Sequence, residues 1–239
     1  MNEAPATAPR ARLHRLLGTA ALGLSLLLTG CASQTLFQSS FNANVVGTPP
    51  ATTQATGTVS IGGAPGSVVV VGPVPGTSEN WVQISRSGEQ APISELLCKF
   101  SEVKGDGTYT LLAAMFIPSG AGLATVEFDT AAVASPPNTG FLHLDFLQNN
   151  TVRINDNNAQ VFGSFPRDQF FTLAVTLEIT ATSAVAHMSL FGTGASGSMD
   201  FNVTPVSFAR QMGAVKFWMG FPWNGSFKAT DILVTRKTS

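Results

Sequence analysis

Short runs of alternating apolar and polar residues recur along most of this chain and constrain its fold more than any other feature. In one such run, Leu142, Leu144 and Phe146 alternate with His143 and Asp145. Successive side chains of a β-strand point to opposite faces, so this spacing predicts a strand with one apolar and one polar face. No long segment repeats its apolar residues at the helical period of about 3.6 residues. The chain is therefore predicted to consist of strands.

Turn residues separate these runs at intervals of roughly ten residues, which is typical of an antiparallel two-sheet β-sandwich. The composition agrees, with 23 glycines, 17 phenylalanines and only 11% charged residues. The region 45–76, rich in Gly, Pro, Thr and Ser, is predicted to form loops around one or two strands. The candidate strands are Trp81–Arg86, Glu95–Val103, Tyr109–Ile117, Leu123–Phe128, Gly140–Leu147, Thr151–Asn155, Phe170–Ile179, Ala184–Phe191, Gly197–Val203, Ala214–Gly220 and Ser226–Arg236.

The first thirty residues have the pattern of a secretion signal. A basic stretch with three arginines precedes an apolar run from Leu16 to Leu28, and small residues follow. That run is shorter than the roughly 20 residues that a helix needs to cross a bilayer, so it predicts a cleaved leader.

The end of this leader, Leu28-Thr29-Gly30-Cys31, resembles the lipobox of bacterial lipoproteins. The resemblance implies a lipid on Cys31, cleavage in front of it, and anchoring in a membrane. In that family, a residue such as Ala32 at the second mature position favours the outer membrane; which side the domain faces stays open. We therefore expect a signal peptide at 1–30, a lipidated tether at 31–38 and a single β-sandwich domain at 39–239.

Charge and cysteine content exclude some functions. Without its leader the chain keeps 10 basic and 13 acidic residues, a net charge of −3. Nucleic-acid binding requires clustered Lys and Arg, so we expect no nucleic-acid partner. Cys98 lies in an apolar run and is predicted to be a buried thiol rather than a nucleophile.

The order of the strands from Phe37 to Val234 resembles the concanavalin A-like, laminin-G-like jelly roll. The resemblance covers about residues 36–237 and implies that fold, while leaving the function open. The segments that carry it are a Phe-containing N-terminal strand (Phe37, Phe41), the hairpin with a central Asn149-Asn150 turn, Val161–Gly163, Phe170–Val175, Ala184–Gly192 and Ala229–Val234. The resemblance implies that the last strand returns beside the first.

Some members of this fold class are glycoside hydrolases whose catalytic strand resembles Glu-x-Asp-x-x-Glu. Glu127 and Asp129 match its first two carboxylates, but Ala132 stands at the acid/base position. A retaining glycosidase needs two suitably spaced carboxyl groups in distinct roles. A catalytic reading would therefore need a third acid from a loop, with Asp145 and Asp156 as candidates.

The segment from Phe217 to Gly225 is the best candidate for ligand binding. Trp218 and Trp223 could stack on sugar rings, and Asn224 could bind hydroxyl groups, although aromatic residues more commonly pack in cores. His143 and Asp145, two residues apart on one strand face, form a second candidate patch unless both simply face solvent.

No cofactor is expected, with calcium as the open alternative. The run Asn155-Asp156-Asn157-Asn158 is dense in the oxygen ligands that calcium prefers. It offers only one formal charge, and the same composition is typical of a plain turn.

Two functions from different classes are open at this point. The favoured one is a non-catalytic outer-membrane lipoprotein whose jelly-roll domain binds a glycan or a protein partner at the cell envelope. The alternative is a divergent carbohydrate-active enzyme that uses Glu127 and Asp129.

Overall fold

The computed structural model describes residues 33–102, 105–130 and 140–238. The predicted signal peptide at 1–30 and the predicted lipidation site Cys31 lie outside these residues. In chain order the elements are β1 (Ser33–Ser39), β2 (Thr58–Gly62), β3 (Val68–Val71), β4 (Trp81–Arg86), β5 (Ser94–Lys99), β6 (Gly107–Phe116), β7 (Ala124–Thr130), β8 (Leu142–Phe146), β9 (Val152–Ile154), β10 (Asn157–Phe162), β11 (Phe170–Ile179), β12 (Ala184–Phe191), β13 (Ser198–Asn202), α1 (Val206–Ala209), β14 (Met212–Met219) and β15 (Gly225–Lys237).

The strands form two antiparallel sheets. The first has the order β13-β12-β11-β6-β15-β4-β3, and β1 also pairs with β15. The second has the order β10-β9-β8-β7-β14-β5-β2. In the part of the chain that the structure describes, no helix is long and apolar enough to cross a membrane. The predicted all-β, two-sheet sandwich is confirmed.

One apolar core lies between the sheets. Leu142, Leu144 and Phe146 of β8 were predicted to form the apolar face of their strand. The prediction is confirmed, since all three side chains are fully buried in this core. Phe146 packs against Phe165 and Phe171, with ring centroids 5.4 and 5.7 Å away. Aromatic contacts of this kind add to the stabilisation that burial of the rings provides.

Most predicted strand positions are confirmed to within a few residues. Trp81–Arg86, Phe170–Ile179 and Ala184–Phe191 match the observed bounds. The predicted hairpin with its Asn149-Asn150 turn is β8 and β9, and the region 45–76 contains two strands, β2 and β3. Cys98 is buried and free, as expected, and burial raises the pKa of its thiol.

The N-terminal segment differs from its prediction as a tether. Ser33–Ser39 is a strand that pairs with β15, the last strand of the chain. Its Leu36 and Phe37 are fully buried in the core. Burying two large apolar side chains favours the strand over a solvated tether by several kcal/mol, at roughly 1.5–3 kcal/mol for each.

Several strand connections meet at one end of the sandwich, here called the loop end. At three places, the last residue of one strand pairs with the first residue of the neighbouring strand. These pairs are Arg86 with Gly225, Phe146 with Ala124, and Met219 with Ser94. The connections 87–93, 117–123, 147–151 and 220–224 therefore all leave the sheets at this end.

Candidate functional site

The connection between β14 and β15 carries an exposed aromatic surface. We call residues 221–224, Phe221-Pro222-Trp223-Asn224, the aromatic loop. The Phe221 side chain is 68% exposed and Asn224 is also exposed, whereas Trp223 is half-buried and packs against the core. The loop thus combines an anchored indole with a phenyl ring and an amide that face solvent.

The buried Arg86 side chain holds the aromatic loop in place. Its Nη1 donates to the carbonyl oxygen of Trp223 at 2.8 Å and to Oδ1 of Asn224 at 3.4 Å. Its Nη2 donates to the carbonyl oxygens of Glu89 and Ala91, both at 2.8 Å. The guanidinium also lies 5.9 Å from the centroid of the exposed phenyl ring, within the range of a cation–π contact. A fixed loop loses little conformational entropy when it binds a ligand.

Two polar pockets lie near the aromatic loop at the loop end. The first, here called the serine pocket, has a volume of about 160 Å³ and borders Arg86. Its hydroxyl lining comes from Ser67, Ser85, Ser87 and Ser94.

The second pocket, here called the amide pocket, has a volume of about 270 Å³ and is lined by Gln148, Asn150 and Arg167 among others. It adjoins the aromatic loop because the Gly122 amide donates to the Asn224 carbonyl oxygen at 2.9 Å. A Cβ at position 122 would lie 2.7 Å from the Cβ of the loop's indole residue, so this close approach requires glycine.

The outer face of the second sheet carries a buried ionic cluster. Glu127 and Asp129 of β7 alternate with core residues and therefore point away from the core. Lys216 of β14 lies between them, with its Nζ 3.4 Å from Glu127 Oε2 and 3.0 Å from Asp129 Oδ2. The three side chains are at most 1% exposed. We call these three residues the ionic cluster.

The charges in this cluster do not balance. Two carboxylates face one ammonium group, and the half-exposed Glu95 of β5 lies near enough to interact with them. Burial, and then the negative charge of Glu127, raise the pKa of Asp129 to about 6, although Lys216 opposes the shift. Burial also raises the pKa of Glu95. The Asp129 carboxyl group therefore carries a negative charge mainly above about pH 6.

The alternative function, catalysis by Glu127 and Asp129, receives little support from this geometry. Neither carboxyl group is open to solvent, and an ammonium group occupies the space between them. A glycosidase needs its acid and its nucleophile on either side of a bound sugar.

The predicted patch of His143 and Asp145 forms a second polar group, together with Arg153 and Asp156. Both predicted residues are buried, so they do not face solvent. The Arg153 Nη2 lies 2.8 Å from Asp145 Oδ2 and 2.7 Å from Asp156 Oδ1. Burial raises the pKa of Asp145, while the hydrogen bonds from Arg153 and Thr125 oppose that shift.

Trp218 does not offer a stacking surface, because its side chain is buried at 5% exposure. It lies on the same sheet face as Asp145, but β7 separates their strands, which places them roughly 10 Å apart. The structure therefore brings Trp223 together with Asn224, and His143 together with Asp145, but it does not unite the five predicted residues in one site.

The run 155–158, where calcium was the open alternative to a plain turn, is a tight turn whose amide oxygens accept hydrogen bonds from the protein. Oδ1 of Asn155 accepts from the His143 amide, Oδ1 of Asn157 accepts from the Ala159 amide, and Oδ1 of Asn158 accepts from Arg153.

Sequence reasoning missed three basic residues, Arg86, Arg153 and Lys216, that organise these groups. Each is the only charged residue of its strand; Arg153 and Lys216 have apolar neighbours on both sides, whereas Arg86 lies between two serines. A lone cation in such a strand is the signal that could have found them, because a buried charge requires a partner.

Comparisons with known proteins give the fold and no family. No protein-family model matches the sequence, and no curated protein matches it either. Among solved structures, the chain is similar to the catalytic domain of a glycoside hydrolase family 131 protein from Coprinopsis cinerea. That match has a TM-score of 0.54 and 12% identity, and covers 84% of this chain and 94% of that one.

Two plant proteins give similar matches. Arcelin-5, a lectin-like defense protein from Phaseolus vulgaris, has a TM-score of 0.51 and 9% identity, with 87% of this chain and 99% of that one covered. Lectin I from Ulex europaeus, in complex with the methyl glycoside of α-L-fucose, has a TM-score of 0.50 and 9% identity, with 87% and 98% covered. Together with the sheet order, these matches identify the fold as a concanavalin A-like jelly roll.

Proposed function

We propose that this chain is a non-catalytic glycan-binding protein and that the aromatic loop forms its binding surface. The observation that carries the proposal is the exposed aromatic loop at the loop end, which Arg86 links to the serine pocket and Gly122 links to the neighbourhood of the amide pocket. Sugar rings have apolar faces that stack on aromatic rings, and hydroxyl groups that need polar partners on either side. Ligand sites of this kind combine aromatic contacts with a few convergent polar groups.

The fixed loop backbone adds to this support. The contacts that Arg86 makes to Trp223 and Asn224 place the indole and the amide before any ligand arrives. Rigid aromatic anchors contribute much of the affinity at binding surfaces. The Ulex europaeus lectin with a bound fucoside shows that a protein of this fold can hold a sugar.

The location proposed for this protein is the outer membrane, through a lipid on Cys31. The segment Leu28-Thr29-Gly30-Cys31 supports it. Mass spectrometry of the protein extracted from cell envelopes tests it. We expect a mature chain that begins at Cys31 and carries acyl groups; an intact leader, or an unmodified Cys31, would contradict the proposal.

Replacing the indole of the aromatic loop is expected to weaken glycan binding. We predict that Trp223→Ala lowers the affinity of the full chain for its glycan about tenfold or more, since an aromatic anchor typically contributes about 2 kcal/mol. The measurement is isothermal titration against a panel of polysaccharides and peptidoglycan. Phe221→Ala, at an exposed position where folding is undisturbed, should weaken the same binding.

The matched control is Phe208→Ala, which removes an exposed aromatic side chain from α1, away from the aromatic loop. It should leave the affinity unchanged. Binding that survives both loop variants would exclude the aromatic loop, and no binding to any glycan would favour a protein partner instead. Release of reducing sugar that Glu127→Gln abolishes would establish the enzyme alternative.

A further inference from the structure

A buried histidine on β8 has a ring nitrogen without a hydrogen-bond partner. His143 is 7% exposed, and its Nε2 makes no hydrogen bond in the part of the chain that the structure describes. That atom points at two carboxylates, lying 3.3 Å from Asp156 Oδ2 and 4.0 Å from Asp145 Oδ2. A buried polar atom left unpaired costs about 1–3 kcal/mol. A bound cation would satisfy this nitrogen and would contact both carboxylates, which Arg153 already holds in place.

The hairpin turn between β9 and β10 is built to bring Asp156 to this position. Its two turn residues, Asn155 and Asp156, have positive φ values of 48° and 56°. Turns of this shape favour glycine at their second position, whereas here a carboxylate occupies it. Asn155 fixes the turn against β8, because its Oδ1 accepts from the His143 amide at 2.8 Å and its own amide donates to the His143 carbonyl oxygen at 3.0 Å.

The spacing of the three donor atoms suits a small divalent cation. His143, Asp145 and Asp156 can each offer one ligand atom, and these atoms lie within 4.8 Å of one another. Tetrahedral zinc, with bonds of about 2.0–2.2 Å, places its ligand atoms roughly 3.3–3.6 Å apart. The distance of 3.3 Å between the imidazole nitrogen and Asp156 already matches, so only the Asp145 oxygen needs to move closer.

The surrounding groups support the two carboxylates as metal ligands. Thr125 Oγ1 donates to Asp145 Oδ1 at 2.8 Å, and Arg153 binds both Asp145 and Asp156. Such outer hydrogen bonds orient ligands around bound metal ions. Two carboxylates and one guanidinium leave a net negative charge, which attracts a cation. The partly exposed Asp156 provides a path of entry from solvent.

We propose that His143, Asp145 and Asp156 bind a divalent transition metal ion of the zinc class. The imidazole ligand favours zinc over calcium and magnesium, which prefer oxygen ligands alone. The site is separate from the aromatic loop, so it is an addition to glycan binding and can be tested independently.

The test begins with treatment of the purified full chain with a chelator. The protein is then titrated with Zn²⁺, and binding is measured by isothermal calorimetry. We expect one Zn²⁺ site whose affinity falls at least about tenfold in Asp156→Asn and in His143→Gln. The matched control is His187→Gln, because His187 also lies beside a carboxylate, with its Nδ1 2.8 Å from Asp200 Oδ1. This control should change the affinity less than about twofold. Asp156→Asn alters a partly exposed side chain, so it tests the site even where His143→Gln fails to fold.

A second readout uses Co²⁺ in place of Zn²⁺. Visible absorption typical of tetrahedral cobalt should appear in the unmodified chain and weaken in Asp156→Asn. Absence of Zn²⁺ binding by the unmodified chain would overturn the proposal, as would binding that Asp156→Asn leaves intact and His187→Gln removes. Displacement of Zn²⁺ by an equal concentration of Ca²⁺ would overturn the assignment to the zinc class.

Discussion

Replacing Lys216 by methionine should destabilise the protein by about 3–5 kcal/mol at pH 8, the usual effect of removing one partner from a buried ion pair. The ammonium group lies between Glu127 and Asp129, and all three side chains are excluded from solvent. Without it, the two buried carboxyl groups would lose the ammonium group that lies between them. Urea unfolding of the full chain at pH 8 measures the change in the free energy of unfolding.

The loss should shrink as the pH is lowered. Folding raises the pKa of Asp129 to about 6 from an ordinary 3.8, so the folded state binds its proton more tightly than the unfolded state. The resulting stabilisation is complete below about pH 4 and is lost as the pH rises through 6. Protonated Asp129 needs no cation, so Lys216→Met should cost less at pH 5 than at pH 8.

Lys99→Met is the matched control for this prediction. Lys99 is a half-buried lysine of β5 and has no ion pair with any described carboxylate. We expect it to change the free energy of unfolding by less than about 0.5 kcal/mol. A Lys216→Met protein as stable as the unmodified chain at pH 8 would show that the two carboxylates are not both charged.

Replacing Arg86 by alanine should cost about 3 kcal/mol of stability and also weaken glycan binding. The guanidinium donates to the carbonyl oxygens of Glu89, Ala91 and Trp223 from a buried position. Hydrogen bonds to charged groups contribute roughly 1.5–3 kcal/mol each, and removing the donor leaves these carbonyl oxygens unpaired. Urea unfolding measures the first effect, and titration with the glycan measures the second.

Arg210→Ala is the control for this second prediction. Arg210 is exposed and pairs with Asp106 at 2.6 Å on the surface. Exposed pairs contribute about 0–1 kcal/mol, so this variant should be nearly as stable as the unmodified chain. Equal losses in the two variants would mean that Arg86 does not hold the aromatic loop.

The fold followed from local patterns because each pattern sits within one strand. Alternation in Leu142–Phe146 specified which side chains enter the core, and the structure confirms it. The tether predicted at 31–38 was wrong for the opposite reason. The partner of β1 is β15, nearly 200 residues away, so no local pattern shows the pairing; only the resemblance to the jelly roll implied a strand at Phe37 beside the last strand.

The candidate sites also differ in whether their residues are close together in the sequence. Trp223 and Asn224 are adjacent in sequence, so a local pattern could place them together. Lys216 and Glu127 are brought together only by the register between β7 and β14. The burial of His143 likewise depends on tertiary contacts that its own strand does not reveal. Strand registers set by the whole core therefore decide the chemistry of the outer face.

The pairing of the first strand with the last places Ser33 and the aromatic loop at opposite ends of β15. Ser33 pairs with Lys237 at the far end of β15, whereas the aromatic loop directly precedes Gly225 at the near end. The 13 residues of β15 span about 40 Å. Under the proposed anchoring at Cys31, we therefore expect the aromatic loop at the end of the sandwich remote from Ser33, where a long polymer can reach it.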